Sequence, residues 1–177
     1  MDKQDSPMNF FNKLSEQLTS NINSCTIGRI EKFDVKKMKA EVTPLVKYKN
    51  KDGTMEKRPL LIEVPVSFLK AGSFIIRPPY KVGDIVLIIF ADNDIENALL
   101  SGNISEPNSV RVHSLDDAIV VGGIMPFTKE LPKEHEKDLI IAKDDFSSKI
   151  VIKEDGEILI ESDKGITISG PNRTESW

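Results

Sequence analysis

The chain has 177 residues, of which 39% are hydrophobic and 29% are charged. This length suits one domain of ordinary size with an appendage and is too short for two large domains. The net charge of −4 arises from 24 basic and 28 acidic residues that are interspersed along the chain, which argues against a basic nucleic-acid-binding protein. The single cysteine, Cys25, excludes both an intrachain disulfide and a cysteine-based zinc site.

The N-terminal region, residues 1–24, is predicted to form an amphipathic helix. Ser6 and Pro7 are a helix-start signal, and four apolar residues follow at helical spacing: Phe11, Leu14, Leu18 and Ile22. This apolar stripe either covers the following β domain, which we favour, or docks on a partner. The chain contains no apolar run long enough for a membrane span and no signal-peptide pattern, so we expect it to be made and assembled in the cytoplasm.

Residues 25–127 read as a β domain. Apolar alternation from Cys25 to Lys49, interrupted at 33–37, predicts a hairpin. Further segments predict a third strand with Leu60, Ile62, Val64 and Val66 on one face, a fully buried strand Ile85 to Phe90, a short helix 94–100 ended by Gly102, and a last strand 115–121. Five strands with one short helix predict an all-β domain of the OB-fold barrel type.

An eight-residue repeat follows a predicted solvated linker, residues 128–137. Its three blocks begin at Lys149, Glu157 and Gly165, and each carries two isoleucines spaced two apart, which in a strand face the same side. These isoleucines are Ile150, Ile152, Ile158, Ile160, Ile166 and Ile168. One chain has nothing left to cover them, so residues 138–177 are predicted to form a short intertwined trimeric β-helix with the isoleucines at its threefold axis.

One alternative to the trimeric β-helix is an ordinary β-meander packed on the barrel, which the constant period and the polar linker argue against. The trimer reading also predicts that Val151, Leu159 and Thr167 face outward among charged side chains.

Catalytic and metal-binding chemistry is not predicted. His113, Ser114, Asp116 and Asp117 combine the residue types of a hydrolytic triad, but neighbours in one loop do not set its geometry. The acidic stretch 92–96 resembles a calcium loop only in composition, because Asn97 and Asn103 stand where an EF-hand needs glycine and glutamate. We therefore predict a turn and helix cap there, no metal, no cofactor and no enzyme activity.

Several short motifs are spread along the β domain: Pro78 and Pro79 before Gly83 and Asp84, then Arg111, His113, Asp116 and Asp117, then Gly122 and Gly123 with Pro126. Together with the buried strand 85–90 they resemble the central puncturing spikes of contractile phage tails and R-type bacteriocins, which have an N-terminal OB-fold followed by a trimeric β-helix. The resemblance implies a homotrimer at the centre of the baseplate. Its OB domains would sit on the hub protein at the end of the tail tube, its needle would point at the host cell envelope, and the motif residues would be structural.

The C-terminus departs from that family's pattern. Many members have a longer β-helix and histidines that hold an iron ion at the tip, whereas the third block here ends near Pro171 and neither histidine, His113 or His135, lies close to it. We therefore predict a short, blunt needle. It would suit a host without an outer membrane, or a separate tip protein for which Trp177 is a possible contact.

The sequence thus predicts a structural component of a virion or bacteriocin particle, a spike that caps the tail tube and pierces the host envelope on sheath contraction. The alternative is an OB-fold nucleic-acid-binding protein, which needs a basic groove lined with aromatic residues. Five aromatic residues, Phe33, Phe68, Phe74, Tyr80 and Phe90, lack accompanying cations and are predicted to fill the barrel. A cell-wall hydrolase would need an inserted catalytic domain for which this chain is too short.

Overall fold

A computed structural model of the protein describes residues 8–12, 14, 22–50, 53–171 and 173–176. The chain divides into two compact units, residues 1–125 and 126–177. Of the predicted N-terminal helix, residues 8–12 and 14 are helical, whereas Leu18 lies outside the described residues, as does Trp177. Strands dominate both units, which confirms the prediction of an all-β protein.

Beyond those helical N-terminal residues, the described part of the first unit contains nine strands, a further short helix and one 3-10 turn. They are β1 (Cys25–Asp34), β2 (Lys39–Pro44), β3 (Tyr48–Lys49), β4 (Met55–Glu56), β5 (Leu61–Pro65), β6 (Leu69–Ala71), β7 (Phe74–Ile76), β8 (Ile85–Phe90), the helix Glu96–Ser101, the 3-10 turn Leu115–Asp117 and β9 (Ala118–Gly123). Five of the strands form an antiparallel sheet in the order β5-β2-β1-β8-β9. The predicted hairpin is confirmed as β1 and β2, and the predicted helix is confirmed and ends at Gly102.

This sheet curls until its two edges meet. Val66, just after β5, forms a parallel bridge with Val120 of β9, and the Ser67 amide donates to the Val120 carbonyl at 2.8 Å. Alternate residues of the five strands therefore point into one enclosed space. The buried core residues are Ile30, Ala40, Val42, Leu61, Val64, Val66, Val86, Ile88, Phe90, Ala118 and Val120.

A β-bulge in β5 changes which of its residues are buried. Between the pairs Ala40–Val64 and Val42–Leu61, two residues of β5 stand opposite one residue of β2, and Glu63 has a positive φ of 56°. The extra residue reverses the alternation beyond it. Leu61 is therefore buried while Ile62 is 68% exposed, so the prediction that Leu60 and Ile62 share a face with Val64 is wrong.

Two further predictions for this unit are wrong. Strand β8 is buried on one face only, because no second layer covers Leu87 and Ile89 in the described part of the chain, and Ile89 is 38% exposed. Phe74 is 81% exposed and does not fill the barrel, since it lies on the small β6–β7 hairpin outside the five-stranded sheet. Phe33 and Tyr80, by contrast, pack edge to face at 5.6 Å against the core.

The second unit contains two small antiparallel sheets. One is built from β10 (Leu139–Ala142), β11 (Ser148–Ile152) and β12 (Ile158–Ser162), and the other is the hairpin of β13 (Thr167–Gly170) and β14 (Arg173–Ser176). Each of the three repeat blocks thus carries one strand, respectively β11, β12 and β13. Only β11 and β12 pair with each other.

Substitution of Gly28 tests the close packing of the curled sheet. A Cβ atom at this position of β1 would lie 2.6 Å from both Ile88 Cδ1 and Val42 Cγ1, inside the core. We expect Gly28→Ala to destabilise the first unit by about 1–3 kcal/mol because buried side chains must leave their preferred rotamers. The measurement is the urea unfolding midpoint. Gly122→Ala is the matched control in β9, where nothing lies within 4 Å of the added atom, and an equal loss in both variants would contradict the explanation.

Candidate assembly site

The sheet of the second unit presents one apolar face to solvent. Between β11 and β12, Ile150 lies opposite Ile160 and Ile152 lies opposite Ile158. On the other side of β11, Ile141 and Leu139 of β10 lie opposite Ile150 and Ile152, respectively. Directly opposed residues share a face of a sheet. We call this set the isoleucine face: Leu139, Ile141, Ile150, Ile152, Ile158 and Ile160. Each of its side chains is between 45% and 66% exposed.

The opposite face of the same sheet is covered within the chain. Val151 lies there and is completely buried, so the prediction that it faces outward among charges is wrong. Lys149, on the same face, is only 9% exposed at its side chain and binds Glu161 at 2.9 Å and Glu134 at 3.2 Å. Because Glu134 belongs to the segment before β10, that segment contacts this face through Lys149, which the sequence did not reveal.

A second polar contact holds the same segment. His135 Nδ1 lies 2.8 Å from a carboxylate oxygen of Asp138, and the other Asp138 oxygen accepts the Glu154 amide at 3.0 Å. The His135 hydrogen bond, with that of the Glu154 amide, holds the pKa of Asp138 below its usual range. In the same way, the hydrogen bonds that Lys149 donates to the Glu161 and Glu134 carboxylates raise the pKa of Lys149. These charged contacts fix one side of the sheet and leave the isoleucine face bare.

The third repeat block contributes differently from the first two. Ile166 is partly buried and lines an open groove with Ile141, Ile150 and Ile160, whereas Ile168 on β13 is 59% exposed. The structure therefore gathers four of the six predicted isoleucines on one sheet, places Ile166 beside them and leaves Ile168 on the separate hairpin. Sequence reasoning missed Leu139 and Ile141, although the apolar stretch 139–142 is visible just before the repeat.

In the first unit, two charged motif residues, Arg111 and Asp117, form an ion cluster with Asp94, in which both carboxylates are buried and Arg111 is 30% exposed. Arg111 binds Asp117 through two hydrogen bonds, of 2.7 Å from Nε and 3.1 Å from Nη2, and its Nη2 also lies 3.1 Å from Asp94. Asp117 is 1% exposed and further accepts the Ile95 amide at 3.1 Å. The cluster ties the long β8–β9 connection to the start of β9.

The carboxylate of Asp94 is fully committed within this cluster. One oxygen accepts the Glu96 amide at 3.0 Å, and the other accepts the Ser109 hydroxyl at 3.0 Å. The Glu96 amide, then Ser109 and the Arg111 guanidinium, lower the pKa of Asp94 despite its burial. The hydrogen bonds that Arg111 donates to the Asp117 carboxylate raise the pKa of Arg111. Asp94 thus accepts the amide of the first residue of the helix Glu96–Ser101 and forms the predicted turn, but the N-cap position is Ile95 and makes no side-chain cap hydrogen bond, so the predicted helix cap is wrong.

The His113 to Asp116 segment has a structural arrangement. Ser114 accepts the Asp116 amide at 3.2 Å and so caps the 3-10 turn, which shows that the predicted strand start at Leu115 is too early. His113 has a positive φ of 48°, and its carbonyl accepts the Asn23 side-chain amide at 2.8 Å. These contacts connect the turn to the chain segment that precedes β1.

The proline loop also attaches to β1. The Gly83 amide donates to the Ile30 carbonyl at 2.8 Å and the Ile30 amide donates to the Asp84 carbonyl at 2.9 Å, while Gly83 has the positive φ of 97° that favours glycine. The loop that begins at Pro78 and Pro79 therefore extends the β1–β8 ladder by one pair. Gly122 and Gly123 end β9, and Pro126 is the first residue of the second unit.

The described residues contain no cluster of three or more His, Cys, Asp or Glu side chains placed to hold a metal ion. Over that same part of the chain, no helix has the length and apolar character needed to cross a membrane.

Comparison with known proteins gives one family. A search of curated proteins finds no match for this chain. A family model described as the phage protein Gp138 N-terminal domain matches residues 27–123, which is more than half of the chain. The matched region runs from β1 to the end of β9 and contains the curled sheet, the ion cluster and the proline loop. The chain therefore belongs to the phage protein Gp138 N-terminal domain family.

Proposed function

We propose that this protein is the trimeric central spike of a contractile phage tail or of an R-type bacteriocin baseplate. Membership of a phage protein family supports a structural role in a phage particle. The bare isoleucine face supports trimer formation, and it is the single observation on which the proposal rests. The spike would cap the tail tube, contact the hub protein and pierce the host cell envelope when the sheath contracts.

The isoleucine face is better suited to packing against further copies of this chain than to exposure to water. Its six side chains are contiguous across three strands, and a monomer leaves about half of their surface in water. Covering the remainder should contribute about 1 kcal/mol per side chain. Three copies around a threefold axis would bury their isoleucine faces against each other at once, which links folding of the tail to assembly.

The first unit is proposed to be an OB-fold barrel. Its sheet has five strands, β1, β2, β5, β8 and β9. If these five are renumbered 1 to 5 in chain order, their order across the sheet is 3-2-1-4-5. The two edges of the sheet meet in a parallel bridge between Val66, just after β5, and Val120 of β9. This topology fits the five-stranded, partly open Greek-key barrel of that fold. Its helix, however, lies between the fourth and fifth strands.

The second unit is proposed to be the strand set of one chain in a trimeric β-helix. Strands β11 and β12 are successive repeat blocks whose isoleucines point the same way, and β13 continues the period. In the trimer the isoleucine face would line the axis, while the ionic contacts of Lys149 would lie toward the outside. A separate tip protein could then complete the needle, and no reaction needs to be catalysed for this role.

The molar mass in solution tests the proposal. Size exclusion coupled to light scattering should give three times the chain mass of 19.8 kDa, with no dissociation on dilution into the micromolar range. A monomer mass would overturn the spike assignment. Antibody labelling of purified particles should place the protein at the end of the tail tube, and labelling elsewhere on the particle would leave a phage protein with a different position.

A further inference from the structure

The β6–β7 hairpin of the first unit stands apart from the five-stranded sheet with its side chains in water. In the described part of the chain, its two strands pair only with each other. Directly opposed residues share a face, so Lys70 and Ile75 lie on one face of the hairpin. The other face carries four apolar residues: Leu69, Ala71, Phe74 and Ile76. All six are exposed, and the large apolar side chains among them are between 55% and 81% exposed.

The hairpin is held at its base and free at its tip. Before it, the Ser67 amide donates to the Val120 carbonyl at 2.8 Å. After it, Tyr80 packs edge to face on Phe33 against the core. At the turn, Gly72 has a positive φ of 56°, and a Cβ atom there would meet no described atom within 4 Å beyond its chain neighbours. The apolar side chains of the hairpin are therefore presented to solvent from a fixed base.

The hairpin and its flanks are cationic in a chain whose net charge is −4. Between Glu63 and Asp84 the sequence contains three basic residues and no acidic residue. The basic residues are Lys70, Arg77 and Lys81, and all three are exposed. None of the three forms an ion pair with a described residue. Their charges are thus available to an anionic partner.

The two-sided exposure and the charge together favour a lipid surface as that partner. A flat protein surface would cover one face of the hairpin and leave either Phe74 or Ile75 in water. The outer acyl region of a bilayer surrounds what enters it, and anionic headgroups attract nearby cations. The long aliphatic stems of Lys70 and Arg77 allow their charges to stay among the headgroups while the neighbouring side chains lie deeper.

We propose that the β6–β7 hairpin inserts into the surface of an anionic phospholipid bilayer. Phe74 and Ile75 enter the boundary between headgroups and acyl chains, and Lys70 and Arg77 contact lipid phosphates. Insertion is shallow, because the outer edges of a two-stranded hairpin carry backbone groups that hydrocarbon would leave without hydrogen bonds. The inference goes beyond the proposed function, since it gives the first unit a lipid contact that does not depend on trimer formation.

Vesicle binding by the full-length protein tests the contact. The protein should sediment with vesicles of mixed phosphatidylglycerol and phosphatidylcholine at low salt, and much less with vesicles of phosphatidylcholine alone. Phe74→Ser should weaken binding to the anionic vesicles about tenfold or more, because it removes the largest inserted side chain. Phe127→Ser is the matched control, an exposed phenylalanine outside the hairpin, and should bind like the unmodified protein.

The cationic contribution is measured separately. Lys70→Ser and Arg77→Ser should each weaken binding to the anionic vesicles about fivefold at low salt, and the effect should shrink as salt screens the charges. Because the substituted side chains are exposed, the urea unfolding midpoint should stay unchanged in every variant. An unchanged midpoint ensures that a loss of binding is not a loss of folding.

The outcomes that overturn the proposal are distinct from those that concern the spike. No binding to either kind of vesicle, or equal binding by Phe74→Ser and the unmodified protein, overturns the lipid contact. If vesicles are not bound and Phe74→Ser lowers the mass measured by light scattering without lipid, the hairpin contacts another copy of the chain instead. A monomer mass for a protein that binds anionic vesicles overturns the spike and leaves the lipid contact intact.

Discussion

Ile160→Asp is expected to convert the proposed trimer into a monomer without unfolding the sheet that carries this residue. In one chain Ile160 is 52% exposed, so an aspartate there remains hydrated and the β11–β12 pairing persists. In the proposed trimer three carboxylates would meet at one level of the axis. Each would lose its hydration, and each would repel the other two, at a cost of several kcal/mol per ion. Light scattering should therefore report the mass of one chain, while the β-sheet circular dichroism spectrum is retained.

A matched substitution separates this effect from a general loss of stability. Ile62 is also an exposed strand isoleucine, at 68%, but it lies on β5 in the first unit. Ile62→Asp should leave the trimer intact. Ile158→Asp, opposite Ile152 on the isoleucine face, should behave like Ile160→Asp. A trimeric Ile160→Asp protein would show that the isoleucine face is not the assembly surface.

Asp117→Ala is expected to destabilise the first unit by about 3–5 kcal/mol, because it removes one buried member of an ion cluster. Asp117 is 1% exposed, accepts two hydrogen bonds from Arg111 and also accepts the Ile95 amide. The substitution leaves the guanidinium with Asp94 alone and the amide without its acceptor. The free energy of unfolding from urea titration of the first unit's transition measures the loss.

Glu41→Ala is the carboxylate control for this prediction. Glu41 binds Lys32 at 2.9 Å on the solvent side of the β1–β2 hairpin, where Lys32 is 73% exposed. Exposed pairs contribute little, because water screens both charges, so the unfolding midpoint should hardly move. If Asp117→Ala changed the unfolding midpoint as little as Glu41→Ala, the ion cluster would not be what stabilises the β8–β9 connection.

Local signals in the sequence account for many of the elements. The β1–β2 hairpin, the helix ended by Gly102 and one strand in each repeat block follow from alternation, from helical spacing and from turn residues, all of which act between near neighbours. The errors occur where strand pairing, or the placement of a whole hairpin relative to the sheet, decides which side chains are buried. The bulge at Glu63 reverses the faces of β5, and the β6–β7 hairpin carries Phe74 away from the core.

For the candidate assembly site, the sequence by itself determined the period of eight and the common direction of Ile150, Ile152, Ile158 and Ile160, because side chains two apart in a strand must point the same way. Only the tertiary structure decided which face of that sheet is free. Glu134 binds Lys149 on the face that holds the buried Val151, a contact between residues 15 apart that no strand period encodes. Burial depends on what covers a face, and the cover is a long-range contact.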